Sequence, residues 1–195
     1  THIDRCLSCL ACTTTCPSGV DYMHLVDHAR AHIENTYKRP LIDRLIRQTL
    51  AMVLPYPARF RTALKLANLG RPLVPLIEKI NAFKPLGAML RLAPKSLPQS
   101  IEFKPVVVDE RKGRVAILAG CAQSVLDPGI NATAERLLSR FGIEVAKPKG
   151  EGCCGALVHH MGREHDAHAF AKANIDAWMK EIEGEGLDAI IITTS

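Results

Sequence analysis

Four cysteines stand close together near the start of the chain, in the stretch CLSCLACTTTCP. They are Cys6, Cys9, Cys12 and Cys16, and a proline follows the last of them. A structural zinc site usually draws two ligands from each of two separated segments, so four thiols this crowded fit zinc poorly. An iron–sulfur cubane is larger, and three closely spaced thiols can each take one of its corners. The run therefore predicts an iron–sulfur cluster.

The same spacing, C-x2-C-x2-C-x3-C-P, is a known pattern of bacterial ferredoxins, so it is recognised rather than derived. In the two-cluster form of that pattern, the fourth cysteine ligates the other cluster. Cys6, Cys9 and Cys12 would then bind one [4Fe–4S] cluster, and Cys16 would reach toward a second. Pro17 turns the chain after the last ligand, which lets Cys16 point away from the first three.

A second cysteine set lies far downstream, and it consists of Cys121, Cys153 and Cys154. Cys121 follows one predicted strand, and the doublet follows the next strand through a glycine-rich loop. Both points would lie at the carboxyl ends of parallel strands, where sites collect in α/β layers. The three cysteines are candidate ligands or redox thiols. The doublet could instead be two small core residues or a vicinal disulfide.

Histidines offer further candidate ligands. His159 and His160 come shortly after the doublet, and His24, His28 and His32 recur every four residues along one predicted helix. A histidine is more often a surface or packing residue than a ligand. A polar helix stripe is therefore the better interpretation of the repeated set, and packing the better one of the pair.

Composition narrows the class of protein. The chain has 195 residues, seven cysteines and a net charge of +5. An odd number of tightly spaced cysteines argues against a secreted disulfide framework and favours a reducing cytoplasm. No apolar run is long enough to span a bilayer. The chain begins with threonine and ends directly after an apolar run, which predicts a piece of a longer protein.

Positive charge is concentrated in residues 38–95, which hold 12 Lys and Arg against two acidic residues, a net of +10. This segment could be a set of helices with solvated basic faces. It could also be a docking surface for an acidic partner subunit or for an anionic membrane. Nucleic acid is the weakest alternative, because no binding motif is present and aromatic residues do not alternate with the basic ones.

Hydrophobic periodicity and proline positions predict helices over 20–37, 40–55, 58–69 and 73–83. Ser18 is the first candidate for the N-cap of the first helix, and Asp21 is its competitor. The last of these helices should end near Pro85. Residues 94–105 read as a linker.

The pattern then changes to strands over 114–119, 143–146 and 188–193, separated by helices over 127–140 and 163–183. In the first of these two helices Ala132, Leu137 and Leu138 should face inward. Alternating strands and helices predict a small parallel sheet. The chain should therefore divide into a helical half, residues 1–100, and an α/β half, residues 101–195.

The segments CLSCLACTTTCPSGVDY, LVDHAR, AGCAQ, GIEV, GCCGAL and NIDAW, in this order, resemble the iron–sulfur subunits of bacterial glycolate oxidases (glycolate dehydrogenases). The resemblance covers essentially the whole chain. It implies a ferredoxin-like helical module followed by a cysteine-rich CCG domain, here with 31 residues between Cys121 and Cys153. It also implies that Cys6, Cys9, Cys12 and Cys16 are cluster ligands. Cys121, Cys153 and Cys154 would be metal ligands or redox cysteines of the CCG domain.

The same resemblance implies a function. The chain would relay electrons from flavin (FAD) on partner dehydrogenase subunits, which oxidise glycolate or another 2-hydroxy acid, to a quinone or other acceptor. It would lie in the cytoplasm or peripherally on the inner face of the cytoplasmic membrane. A first ferredoxin run, a cysteine after Ser195 and a second CCG domain would be missing from this piece.

Two rival functions remain open within the resemblance. The CCG half could itself reduce a disulfide, as in heterodisulfide reductases, or belong to a lactate or anaerobic glycerol-3-phosphate dehydrogenase. Alternatively, the α/β half could be a redox-inert scaffold that only docks flavin subunits. The chain has no G-x-G-x-x-G and no P-loop, so we expect it to bind neither flavin nor substrate itself.

Overall fold

The computed structural model describes residues 2–99 and 111–193, and these are mostly helical with one three-stranded sheet. The helices are α1 (Ala11–Thr15), α2 (Tyr22–Thr36), α3 (Leu41–Val53), α4 (Pro57–Gly70), α5 (Val74–Ile77), α6 (Lys84–Leu92), α7 (Gln123–Leu126), α8 (Gly129–Arg140), α9 (Ala156–His160) and α10 (Glu164–Glu183). The strands are β1 (Gly113–Ile117), β2 (Ile143–Ala146) and β3 (Ala189–Ile191). Short 3-10 turns cover Ile3–Arg5, Arg71–Leu73 and Asn81–Phe83.

Helix α2 begins at a carboxylate cap. The Asp21 side chain accepts hydrogen bonds from the backbone N–H groups of Met23 and His24, two of the donors that a helix start leaves without partners. Asp21 is therefore the N-cap, and the first choice, Ser18, is wrong. Ser18 lies too far before the helix to cap it. Gly19, which has a left-handed backbone, and Val20 both lie between Ser18 and the cap position.

The predicted helix over 73–83 is confirmed only in part, by α5 and by the 3-10 turn Asn81–Phe83. Helix α5 ends at Ile77, and Ile80 adopts an extended backbone, which breaks the helical path. Pro85 does not end a helix but lies in the first turn of α6, where its missing N–H costs nothing. The other predicted helices of this half are confirmed to within a few residues.

The sheet has the order β2-β1-β3, and both pairings are parallel. Val115 on the central strand stands opposite Val145 on one side and Ala189 on the other. Four of the five β1 residues are buried, as expected for a central parallel strand covered on both faces. The predicted parallel sheet is confirmed, whereas the ferredoxin-like form of the first half stays a prediction.

The predicted inward face of α8 is confirmed only in part. Ala132 is buried and Leu138 is half-buried, but Leu137 is largely exposed, and the other buried positions are Glu135 and Ser139. The burial is possible because Ser139 donates to a carbonyl of its own helix and Lys147 lies 3.3 Å from the Glu135 carboxylate.

One hydrophobic cluster joins the two parts of the chain. Phe60 and Leu64 of α4 pack with Ala93 and with Val125 of α7, which is almost completely buried. Arg163, at the start of α10, donates to Gln48 of α3. The proposed division between residues 100 and 101, and the end of the predicted linker, lie outside the described residues. The division into two domains therefore stays a prediction.

Candidate metal centre

The first cysteine run lies on an exposed loop and one helical turn. Cys6 follows the first 3-10 turn, Cys9 lies in the loop, Cys12 is in α1, and Cys16 is the residue after it. The first three side chains are exposed, the fourth is half-buried, and all four are free thiols. The loop is unusual because Ser8 and Leu10 both adopt positive φ angles, of 54° and 57°. Non-glycine residues rarely take this conformation, and it concentrates at functional sites.

Two of the four sulfur atoms of this run, those of Cys6 and Cys16, have hydrogen-bond donors. The backbone N–H of Ser8 donates to Cys6 Sγ over 3.4 Å. The backbone N–H groups of Val20 and Ser18 lower the pKa of Cys16, and the Tyr22 hydroxyl contributes in the same direction. This contact in turn raises the pKa of Tyr22. Donors of this kind stabilise a thiolate, which is the form that binds metal.

The second set comes together where the strand topology predicts. Cys121 lies in the turn after β1, and Cys153 and Cys154 lie in the loop between β2 and α9. The Sγ atoms of Cys121 and Cys153 are 3.3 Å apart. Cys153 is buried, Cys121 is half-buried and Cys154 is exposed. The two ends of the set, 32 residues apart in sequence, thus meet at the carboxyl edge of the sheet.

The three thiols differ in the direction of their pKa shifts. Hydrogen bonding from Cys153 lowers the pKa of Cys121 and also that of Cys154. The same two contacts raise the pKa of Cys153, which keeps its proton, although the backbone N–H of Gly155 also donates to its sulfur over 3.4 Å. The arrangement therefore favours the thiolate form at Cys121 and Cys154 and the protonated thiol at Cys153.

Asn174 of α10 holds the doublet in place, and sequence reasoning missed it. Its side-chain oxygen accepts from the N–H of Gly152 over 2.8 Å, and its nitrogen donates to the carbonyl of Cys153 over 2.9 Å. The side chain is 2% exposed. The available signal was an asparagine in the middle of a long helix, where this residue is unfavourable unless it bonds elsewhere.

Gly155 allows α9 to start directly after the doublet. Its φ is +85°, and an added Cβ would lie 2.9 Å from the carbonyl oxygen of Ala167 in α10. Both the backbone angle and the close approach of α10 therefore require glycine here. The backbone around Cys153 and Cys154 is therefore held on one side by hydrogen bonds to Asn174 and on the other by the tight turn at Gly155.

Two of the five candidate histidines pair with carboxylates. His159 lies 3.3 Å from Asp27 of α2, and His24 lies 3.5 Å from Asp21. Within the parts of the chain that the structure describes, no group of three or more His, Cys, Asp or Glu side chains is gathered so that it could hold a metal ion. The same parts contain no helix that is long and apolar enough to cross a membrane.

Comparison with known proteins supports the resemblance. The family model of the cysteine-rich domain CCG matches residues 115–195. In the structure, the matched region brings Cys121 and Cys153 into contact at the carboxyl ends of β1 and β2.

The whole chain is also similar to longer proteins. It is 40% identical, over its full length, to the "Glycolate oxidase iron-sulfur subunit" of Escherichia coli (strain K12), of which it covers 44%. It is 32% identical, over 97% of its length, to the "Probable glycolate oxidase iron-sulfur subunit" of Bacillus subtilis (strain 168), again covering 44%. The chain thus spans less than half the length of these relatives. The resemblance to glycolate oxidase iron–sulfur subunits, inferred from the motifs, is confirmed.

A weaker match covers one third of the chain, at 28% identity over 65 residues, with "Lactate utilization protein A 2" of Bacillus cereus (strain AH820), of which it covers 27%. No solved structure matches the chain.

Proposed function

We propose that this chain is an electron-transfer iron–sulfur subunit of a glycolate or 2-hydroxy-acid dehydrogenase complex. Flavin-bearing partner subunits would oxidise the substrate, and a quinone-side acceptor would receive the electrons. The observation that carries the proposal is the four-thiol run, in which the sulfur atoms of Cys6 and Cys16 accept from backbone N–H groups, in a chain similar over its full length to glycolate oxidase iron–sulfur subunits.

The donor set fits an iron–sulfur cluster chemically. Thiolates are the ligands such clusters require, and hydrogen bonds to sulfur tune their potentials. Cys6, Cys9 and Cys12 would hold one [4Fe–4S] cluster, and Cys16 would serve a second. When bound, the group would supply one-electron transfer without proton chemistry. The chain's own residues contribute the thiolates and the N–H donors from Ser8, Ser18 and Val20.

The test is the iron and acid-labile sulfide content, with a low-temperature EPR spectrum, of the complete natural protein prepared anaerobically. We expect iron and sulfide in equal amounts and a reduced [4Fe–4S] signal. Cys12→Ser should lower the iron content and the signal, whereas the matched change Cys154→Ser should leave the signal of the first run in place. Zinc in place of iron, or a colourless iron-free protein in a working complex, would refute the proposal.

A second candidate function concerns the CCG domain alone. The 3.3 Å contact between Cys121 and Cys153 favours thiol–disulfide chemistry at this edge of the sheet. In that case Cys153→Ser would abolish thiol-dependent turnover of a disulfide substrate. If the domain is instead an electron-transfer centre or a scaffold, that variant would show no such loss, because wild-type protein would not turn over a disulfide either.

We also propose that the helical half contacts an anionic membrane surface. The backbone stays right-handed helical from Pro57 through Ile77. Along it Leu66, Leu69, Leu73 and Leu76 recur at spacings of three and four, and each is more than half exposed. Phe60, Leu64 and Val74 are buried on the opposite side. These four leucines form the exposed leucine stripe.

Basic residues flank the exposed leucine stripe. Arg59, Lys65 and Lys79 are exposed, and the one acidic side chain of this stretch, Glu78, is bound by Arg91 at 2.7 Å. An apolar stripe bordered by Lys and Arg is typical of helices that lie in the interface of anionic bilayers. Charge therefore favours an anionic lipid surface as the partner of the stripe.

Vesicle sedimentation tests this part of the proposal. The complete protein should bind vesicles containing phosphatidylglycerol and not vesicles of phosphatidylcholine alone, with binding weakened by salt. Leu69→Gln with Leu76→Gln should reduce binding about tenfold or more, whereas Leu137→Gln, at a leucine of α8 that is also more than half exposed, should not. Unchanged vesicle binding, together with loss of a flavin subunit from the complex, would mean that the stripe docks a protein instead.

A further inference from the structure

Arg30 of α2 is a buried cation that reaches into the first cysteine loop. Only 4% of the residue is exposed. Its guanidinium donates to the carbonyl oxygen of Cys6 over 2.5 Å and to the Ser8 hydroxyl over 2.6 Å. The contacts span more than twenty residues of sequence, so a single side chain ties the loop that carries Cys6 and Cys9 to the middle of α2.

The guanidinium has neutral partners, unlike the other buried arginine, Arg114, and the half-buried Arg39 and Arg47. Arg39 lies 3.0 Å from Asp4, Arg47 lies 3.2 Å from Glu34, and Arg114 lies 2.8 Å from Glu181. Across residues 2–99 and 111–193, no carboxylate lies within ion-pair distance of Arg30. The nearby Asp27 is 3.3 Å from His159 instead. A buried charge is costly unless an opposite charge compensates it.

The CCG domain closes the other side of Arg30. Gly162, in the turn after α9, adopts a φ of +79° and packs directly against the backbone carbonyl of Arg30 and the N–H of Ala31. Packed backbone therefore lies behind the residue. Its charged end contacts the cysteine loop and also lies near His160, whose pKa is lowered by burial and by the Arg30 charge. Because the guanidinium itself is buried, water screens its charge less than it screens a surface charge, and the charge can act on a group that the loop binds.

We propose that Arg30 is a positioning residue that holds the first cysteine loop and supplies the counter-charge for the iron–sulfur group bound by Cys6, Cys9 and Cys12. The inference rests on the proposed function and adds a determinant of reduction potential. Four thiolate ligands make the bound group anionic, and each added electron makes it more so. A fixed cation nearby stabilises the reduced form more than the oxidised form, and so raises the potential.

The test compares Arg30→Gln, Arg30→Lys and the control Arg47→Gln in the complete natural protein. Gln keeps hydrogen-bonding capacity without charge, and Lys keeps the charge without the planar fork. In Arg47→Gln the Glu34 carboxylate loses one of its cations. It is still paired with Arg39 and lies near Arg163, so it is not left as an unpaired charge. Iron and sulfide content, the EPR spectrum and a mediated redox titration are measured for each protein.

We expect Arg30→Gln to shift the one-electron reduction equilibrium of the bound group about tenfold toward the oxidised form, which is about 59 mV to more negative potential. Arg30→Lys should keep the potential close to wild type but broaden the EPR signal, because the loop loses its two-pronged contact. Arg47→Gln should leave both unchanged.

Full iron content with an unchanged potential in Arg30→Gln would overturn the inference. If Arg30→Gln loses its iron, Arg30→Lys decides. Iron retained near the wild-type level by Lys supports the charge role, whereas equal loss in both variants overturns it. Absence of iron and sulfide from the wild-type protein would refute the proposed function itself, and this is measured first.

Discussion

Gly162 is the contact at which the CCG domain presses most closely on the helical half. Its φ is +79°, and a Cβ placed there would overlap the carbonyl group of Arg30 in α2 and lie 3.1 Å from the N–H of Ala31. Backbone atoms in the middle of a helix cannot move aside as a flexible side chain can. Gly162→Ala must therefore strain the turn and separate α9 from α2.

The expected loss of stability has two parts. An L-residue in the left-handed region costs about 1–2 kcal/mol. Forcing an extra carbon against packed backbone costs about 1–3 kcal/mol more. Gly162→Ala should therefore lower the free energy of unfolding by about 2–5 kcal/mol.

Gly186 provides the matched control. Its φ is +84°, but an added Cβ would have nothing within 4 Å. Gly186→Ala should therefore cost only the backbone part, about 1–2 kcal/mol. Both variants are compared with wild type by urea denaturation, and hydrogen exchange at the α2 amides reports whether the contact has loosened. Equal losses in the two variants, with unchanged exchange in α2, would refute the inferred contact.

Three further predictions follow from buried or charged side chains. Asn174→Ala leaves the carbonyl of Cys153 and an adjacent N–H without partners, and it should cost about 2–4 kcal/mol in urea denaturation; a loss below about 1 kcal/mol would contradict this. Arg39→Met strips the cation from three carboxylates that are partly exposed, so we expect a loss of about 2–3 kcal/mol, and one below about 0.5 kcal/mol would count against the network. Hydrogen bonds from Arg114 lower the pKa of Glu144, so its contribution exists above the ordinary glutamate pKa of 4.5 and disappears as pH falls through the lower folded value. Glu144→Gln should therefore be modestly less stable than wild type at pH 7 and equally stable in strong acid, and a difference that persists in acid would rule this out.

Much of the fold could be predicted because local signals and tertiary packing agree. The three strands are short apolar runs bounded by glycines and polar residues, and prolines mark the starts of α3 and α4. The segment 73–83 was only partly predicted because the helix ends at Ile77 and the backbone is extended at Ile80, well before Pro85, which lies in the first turn of α6. Leu137 was wrongly expected to face inward, because tertiary packing determines which face of α8 is buried. Glu135, which is paired with Lys147, occupies part of that face.

The candidate site could likewise be predicted only in part. The sequence identifies all seven cysteines as candidates, and the contact between Cys121 and Cys153 follows from parallel strands that end at one edge of the sheet. Arg30 and Asn174 were not predicted, since their partners lie 21 to 24 residues away in sequence. A weak signal existed for Arg30, which stands between Val26 and Ile33 on the apolar side of α2. A charged residue on such a stripe needs a buried partner, but the pattern does not reveal which one.

Helix α2 relates the two cysteine sets to each other. The Arg30 side chain holds the loop of the first set, while its backbone receives the turn that follows the second set. One turn to either side, Asp27 pairs with His159, and Glu34 lies 3.6 Å from Arg163. These contacts fall along little more than two turns of helix, a rigid segment on which neither set can shift without the other. The 3.3 Å contact between Cys121 and Cys153 and the placement of the first loop are therefore properties of one packed unit, because the helix between them is held from both sides.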